Sequence, residues 1–403
     1  MEVLKGNEIM KVLLLGGTGV LSTDIRELSV KKGYEVYILN RGKHKNKNTN
    51  SKVKSIIGDI RNINEIKRIL KDYYFDVVID FLSFSLNDLK GTLEIFNGKC
   101  DQFIFISSAT AYRKTKKGEK ITEDYDLNNP DWEYADNKKQ CEMFLEENYK
   151  KNNQKYTIIR PYVTYSDTRI PFAIIPHNEQ WTLVNRILNN KPIVLWDNGQ
   201  AICTLTSTKD FAVGIVGVFK NEKAYNEAFH ITTDYTLTWY DALQYIGDAL
   251  GKKVIVADIP SKFIIKHMPE LKGVLLGDKG LDREFDNTKI KKVVPEFDAQ
   301  IRFKDGIKYT IEFYKNNKFM QEINYSWDAR IDNLIEKYDK EKNGFIKDLD
   351  KNSIQCNYDK ISKKEKMLYN ICRNDFSYYI YLFVINFLKF SKKCIIKIIK
   401  HIK

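Results

Sequence analysis

The sequence predicts an α/β fold built on a doubly wound parallel sheet. Two observations carry this. From residue 10 to about 170, short apolar runs alternate with amphipathic segments, a pattern that lays parallel strands side by side under helices on both faces. A glycine-rich turn joins the first apolar run to the first helical segment. With 403 residues, 43% apolar and 30% charged, the chain can fill a large core, and disorder throughout is excluded. Twenty glycines and eight prolines exclude a collagen-like or low-complexity chain.

Taken in order, VLLLGG, YEVYILN, SIIGD, FDVVIDFL, QFIFISS and YTIIRP read as strands, and residues 10–170 as one nucleotide-binding domain. Residues 171–335 mix shorter strands (PIVLW, EAFHITT, KKVIVADIP) with helices such as WYDALQYIGDALG, and form a smaller α/β part suited to holding substrate. Residues 340–403 form a helical extension of different composition. The six cysteines form no CxxC pair and no zinc-like array with histidine, so they read as reduced thiols of a cytoplasmic protein, and no metal is expected. The short apolar run near the start ends in glycines and reads as a strand, not a signal peptide.

The first turn reads Gly16-Gly17-Thr18-Gly19-Val20-Leu21. Glycine is needed where backbone must turn tightly and approach a pyrophosphate, and the free N–H groups of the following helix favour an anion. The third small position is Ser22, where close helix packing is the only requirement. The second strand ends in Asn40-Arg41-Gly42-Lys43-His44. An acid there would bind a ribose 2′-hydroxyl, whereas Asn followed by Arg suits a 2′-phosphate, so NADP is favoured over NAD. Asp59, followed by Ile60 at the end of the third strand, is placed to accept a hydrogen bond from an adenine amino group.

Ser107 and Ser108 end the fifth strand, and Tyr134 and Lys138 follow at helical i, i+4 spacing. A free phenol titrates at about 10 and is a poor base at neutral pH. A neighbouring ammonium lowers that value, so Tyr134 could take a proton from a substrate hydroxyl while Ser108 holds the same oxygen. The Tyr-x-x-x-Lys spacing alone is weak, because it also starts at Tyr112, Tyr314 and Tyr338. Tyr112 and Lys116 lie in the basic segment RKTKKGEK, which reads as a loop, and the pairs at Tyr314 and Tyr338 lie well beyond the nucleotide half; only Tyr134 has the glycine turn, five preceding strands and an upstream serine in order.

The glycine turn, the Ser-Ser-Ala-Thr-x-Tyr strand end, Tyr134 with Lys138, and Ile159-Arg160-Pro161 resemble the extended short-chain dehydrogenase/reductase superfamily, in particular its NAD(P)-dependent sugar epimerase/dehydratase group. The resemblance covers residues 10 to about 340 and implies a Rossmann-type domain, a small-molecule sugar or nucleotide-sugar substrate, and dimerisation into a homodimer through a helix pair. It implies catalytic roles for Ser108, Tyr134 and Lys138. It places Lys138 on the nicotinamide ribose, Pro161 at the nicotinamide, and Phe81, Leu82 and Ser83 along the cofactor wall. Two departures stand out. Sugar dehydratases of this group carry an Asp-Glu pair where this chain has Ala109 and Thr110, which points to epimerisation or reduction rather than water loss. Cys203 replaces an arginine that clamps a nucleotide sugar's pyrophosphate, leaving Arg169 or Lys209 to substitute for it. Thr110, Arg169 and His177 are candidate substrate contacts, and His230 reads as a hydrogen-bonded strand residue.

The net charge is +13, of which residues 331–403 hold +7. Within that segment the run FSYYIYLFVINFL, residues 376–388, is shorter than the roughly 17–25 residues of a membrane span. A lysine-rich amphipathic pattern follows it. Residues 376–403 therefore suit either the surface of an anionic membrane, at its inner face, or packing on the enzyme or a sister subunit. A catalytically reduced RNA-binding or membrane-recruited scaffold is the alternative function. No stacking-aromatic motif supports nucleic acid as partner.

Overall fold

The computed structural model describes residues 9–42, 50–116, 118–152, 154–342, 344 and 361–402. Strand β1 (Lys11–Leu15) shows how the sheet is built. Successive side chains point to opposite faces. Val12 and Leu14 enter one core with Ile25, Val36 and Ile79, while Leu13 and Leu15 enter another with Leu39, Val78 and Phe103. A strand buried on both sides needs helices on both sides.

Six further strands join β1: β2 (Glu35–Asn40), β3 (Lys54–Ile57), β4 (Phe75–Asp80), β5 (Cys100–Ile106), β6 (Lys155–Arg160) and β7 (Glu227–His230). Their order is β7-β6-β5-β4-β1-β2-β3, and every pairing is parallel. The first six are the apolar runs of the sequence. The seventh is the EAFHITT segment, so the sheet takes an edge strand from beyond residue 170. Helix α1 (Val20–Lys31) and the helix Thr208–Gly217 cover one face. Helices α2 (Ile63–Ile69), α3 (Leu86–Phe96) and α4 (Glu133–Asn152) cover the other. The strand order reverses between β1 and β4, and the carboxyl ends there open the crevice where such sheets bind ligands.

The chain divides into two compact units, each drawn from separate segments: Met1–Ala173, Gln200–Ile246 and Glu270–Phe313 in one, Ile174–Gly199, Gly247–Pro269 and Tyr314–Lys403 in the other. The second unit contains a parallel strand pair, Ile193–Trp196 with Val256–Ile259. It also holds the helices Trp181–Leu188, Tyr325–Glu341, Lys363–Cys372 and Asp375–Ile402. No described helix is long and apolar enough to cross a membrane.

A buried charge cluster organises this unit. The Arg186 guanidinium reaches Asp328 (2.5 Å) and Asp332 (2.8 Å), and the Lys191 ammonium reaches the same two carboxylates at 2.7 and 2.6 Å. Tyr369 donates to Asp332 (2.5 Å), tying the helix Lys363–Cys372 to the helix Tyr325–Glu341. Removing one partner of such a network strands the others as buried charges. Asp332→Ala is expected to cost about 3–5 kcal/mol, read as a lowered urea midpoint of the full chain. An unchanged midpoint would mean that the cluster contributes nothing to stability.

Candidate active site

The glycine turn after β1 is held from two sides. Gly16 has φ +85°, the left-handed region that favours glycine, and a Cβ there would stand 2.7 Å from Leu82. The Ser22 hydroxyl donates to Gly16 O (3.1 Å) and accepts from Gly19 N–H (2.9 Å). Arg26, buried, donates to Gly17 O (3.1 Å). The serine at the third small position thus fixes the loop as well as permitting close packing.

This turn opens onto a cavity of about 690 Å³. Of the residues proposed to hold the cofactor, Gly16, Thr18, Gly19, Asn40, Arg41, Asp59, Ile60, Leu82 and Ser83 line it. Others of the proposed set turn away. Leu21 and Phe81 pack into the core between the sheet and α1, because the alternation of the chain there sends them inward. Gly17 is pressed against Ile38, where a Cβ would meet it at 2.3 Å. Val20 begins α1 and Pro161 is buried, and neither lines the cavity.

At the far end Asn40 Oδ1 accepts from Gly42 N–H (2.8 Å). Asp59 is engaged by Arg61 through two bonds, 2.9 and 2.5 Å. This pairing holds the Asp59 carboxyl down at about 2. Arg61 went unnoticed in the sequence, yet it gives this end a second guanidinium beside Arg41. Lys43 and His44 lie outside the described residues. A cavity lined by a glycine turn and two arginines fits an anionic dinucleotide.

Beyond the other end stand the serine, tyrosine and lysine. The Ser108 hydroxyl lies close enough to the Tyr134 phenol to stabilise its charged form. Ser108 Oγ also lies 2.9 Å from Thr110 Oγ1. The Lys138 ammonium donates to Ser83 O (2.7 Å) and Ile106 O (2.8 Å) and sits 5.9 Å from the centre of the Tyr134 ring. Burial drives the Lys138 pKa down to about 8, against the attraction of Asp80.

Tyr134 departs from the expected direction. Burial raises its pKa, the nearby Ser108 hydroxyl lowers it, Asp278 raises it and Arg169 lowers it. Arg169 is thus a cation that favours the phenolate, while the Lys138 ammonium makes its hydrogen bonds to two carbonyls. The two candidates for the missing clamp arginine separate in the same way. Lys209 is paired with Asp167 (3.0 Å) at the surface, whereas Arg169 is half-buried and faces the Tyr134 charge. Cys203 itself is fully buried, its thiol pushed well above the ordinary range by burial. His177 lies in the second unit, exposed, with Nδ1 3.0 Å from Asn178 Oδ1.

Asp278 is another residue that the sequence did not single out. It sits in a wide turn, Leu275–Lys279, closed by Gly280 N–H to Leu275 O (2.9 Å). Asn129 fastens that turn to the serine corner by donating to both Gly277 O (2.7 Å) and Thr110 O (2.6 Å). Arg283, fully buried, also donates to Gly277 O (3.2 Å). Asp278 is thereby buried near Tyr134 with Lys279 as its counter-ion (2.8 Å). No short motif marks it, since its role depends on a segment remote in sequence.

Behind the site, Ser107 Oγ bonds Glu142, which Arg160 grips at 2.7 Å. Arg160 continues to the Tyr112 hydroxyl (3.0 Å), and that hydroxyl lies 3.2 Å from His230 Nδ1. His230 Nε2 meets Asp286 O (2.7 Å), and burial pushes its pKa down to about 4. His230 is a buried, hydrogen-bonded strand residue, as its sequence context indicated.

A family model described as the NAD dependent epimerase/dehydratase family matches residues 12–231. The chain is 27% identical over 343 residues to the chloroplast stem-loop binding protein of 41 kDa b of Arabidopsis thaliana, covering 80% of this chain and 84% of that one. It is 32% identical over 173 residues to a UDP-glucose 4-epimerase of Lactobacillus helveticus, covering 38% of this chain and 51% of that one. Its fold matches UDP-glucuronic acid 4-epimerase from Bacillus cereus, solved with UDP-glucuronic acid and NAD, with a TM-score of 0.63 at 19% identity over 76% of this chain and 100% of that one.

The buried ammonium has a measurable consequence. With a folded pKa of about 8, Lys138 binds fewer protons in the folded than in the unfolded chain between pH 8 and roughly 10.4. Stability due to this group therefore rises with pH across that window and is flat below it. Relative to Lys138→Met, wild-type unfolding free energy is expected to climb by about 1.4 kcal/mol per pH unit between pH 8 and 10 in urea titrations. A difference that stays flat would show that the ammonium is solvated.

Proposed function

The chain belongs to the NAD dependent epimerase/dehydratase family, and on that footing we propose that it is an NAD(P)-dependent oxidoreductase or epimerase acting at a hydroxyl-bearing carbon of a sugar or nucleotide sugar. The observation that carries this reading is the buried Lys138, bonded to the strand ends at Ser83 O and Ile106 O and 5.9 Å from the centre of the Tyr134 ring, which lies one helical turn away and close to Ser108. NAD(P) would be held by the backbone of Gly16, Thr18 and Gly19, by Asn40, Arg41 and Asp59, and by Ser83 near the catalytic end, and would supply the hydride acceptor or donor. Ser108 holds the reacting oxygen of the substrate. Tyr134 takes the proton from that oxygen in the oxidising direction and returns it in the reducing one. Lys138 fixes the ends of β4 and β5 beside Tyr134 through its bonds to Ser83 O and Ile106 O.

Three details refine the reading. No acid ends β2, Asn40 is occupied by Gly42, and two guanidiniums line that end of the cavity, which supports NADP over NAD. Ala109 and Thr110 supply no acid beside Ser108, which supports epimerisation or reduction over water loss. Arg169, the cation nearest in effect to Tyr134, supports a substrate with an anionic part such as a nucleotide sugar.

One relative is named for binding a stem-loop, and the net charge of +13 suits a polyanion, so a structured nucleic acid is the second reading. Filter binding of a stem-loop RNA at two salt concentrations separates the two. Tight binding together with no turnover on any nucleotide sugar would favour the second.

The full chain is expected to bind NADP⁺ more tightly than NAD⁺ in calorimetry. Tyr134→Phe should keep that binding while turnover on a nucleotide-sugar panel falls roughly 10²–10⁴-fold. A Tyr134→Phe variant as active as the parent would remove the proposed base. The charges around the phenol give an independent check. Asp278→Asn removes an anion that disfavours the phenolate, so the pH at which activity rises should shift down. Arg169→Met should shift it up. Profiles that coincide with the wild type would mean that Tyr134 does not titrate in the reaction.

A further inference from the structure

We propose that the terminal helix, Asp375–Ile402, lies along an anionic lipid surface with its apolar stripe in the acyl boundary. The stripe is visible in the first half of the helix. Phe376, Tyr379, Ile380, Phe383, Val384 and Leu388 recur at three- and four-residue spacing, and each is between 47% and 75% exposed. Six large apolar side chains aligned in water mark an interaction surface rather than scattered surface residues. The start of the helix is anchored to its own unit. Asp375 accepts from Asn333 Nδ2 (2.7 Å) and is paired with Lys337, and Tyr378 stacks under the Arg330 guanidinium at 4.5 Å. The helix is therefore fixed on one side and leaves the apolar stripe on the other.

The charge pattern names the occupant. Residues 389–403 contain six lysines and no aspartate or glutamate. An anionic bilayer surface takes both features together, apolar side chains below the headgroups and lysines among them. A second copy of this chain would set six lysines against six more. A soluble polyanion would meet the lysines but leave the stripe in water. The helix does not span the bilayer, since the apolar run of residues 376–388 is too short.

Co-sedimentation of the full chain with vesicles tests this. Binding to phosphatidylcholine vesicles containing phosphatidylglycerol is expected to exceed binding to pure phosphatidylcholine by roughly tenfold or more, and to weaken in high salt. Phe383→Asp and, separately, the triple change K392Q/K393Q/K397Q should each lower it by a similar factor. Both variants should keep the wild-type circular dichroism, so that lost binding is not lost folding. A chain truncated after residue 374 serves as a second control and should not bind. Equal binding to both vesicle types, or none, overturns the proposal. Self-association abolished by Phe383→Asp without any vesicle binding also overturns it and assigns the stripe to a second copy.

Discussion

The buried ammonium of Lys138 is the constraint from which the rest of the site follows. Its two bonds, to Ser83 O and Ile106 O, join the carboxyl ends of β4 and β5 to helix α4. Taking that charge out of water is costly, and the depressed pKa records the cost. The arrangement persists because the carbonyls and the buried Asp80 face the ammonium. Asp80 in turn is satisfied by Leu82 N–H (2.8 Å), Ser83 N–H (3.1 Å) and the Ser83 hydroxyl (2.5 Å). The loop after β4 is thus shaped by one anion and locked by one cation. Since Tyr134 lies one turn before Lys138 on the same helix, anchoring the lysine also aims the phenol at Ser108.

The serine corner shows why one of two adjacent hydroxyls belongs to the site. Ser108 has extended backbone, φ −158° and ψ 137°, and successive side chains of an extended segment point in opposite directions. Ser108 turns to Tyr134 and Thr110, while Ser107 turns to Glu142. Glu142 is fixed by Arg160, whose pKa is raised by the carboxylate and the Tyr112 hydroxyl against the opposing effect of burial. A corner braced by a buried ion pair on one side leaves a single hydroxyl free to serve chemistry on the other. The histidine at the end of this chain, His230, stays neutral and structural for the same reason: its surroundings are occupied by backbone oxygen and a phenol rather than by solvent.

How much of this was legible in the sequence depended on range. The strands were readable because burial on both faces demands unbroken apolar runs. The glycine turn was readable because close approach to an anion demands missing side chains at fixed positions. Tyr134 and Lys138 were readable because four residues is one helical turn. Arg61, Asp278 and the tie through Asn129 were not, because each acts by meeting a segment brought near only by the fold. Where the Lys138 ammonium makes its bonds was not legible for a related reason. Spacing predicts that two groups share a helix face, but not that backbone carbonyls from two strands will claim the ammonium first.

The distribution of charge separates structural use from surface use. In the second unit, Arg186, Lys191 and Arg373 are matched by Asp328, Asp332 and Glu336, and the cluster is neutral where it is buried. Burial enforces that balance, because an unmatched charge there would destabilise the fold by more than its pairing returns. Burial imposes no such balance outside the cluster. The excess of +7 in residues 331–403 is therefore not needed to hold the cluster together, and the six lysines beyond residue 388 account for most of it. In the sequence, six lysines with no acid among them directly follow an exposed apolar stripe, the pairing on which the proposed lipid contact rests.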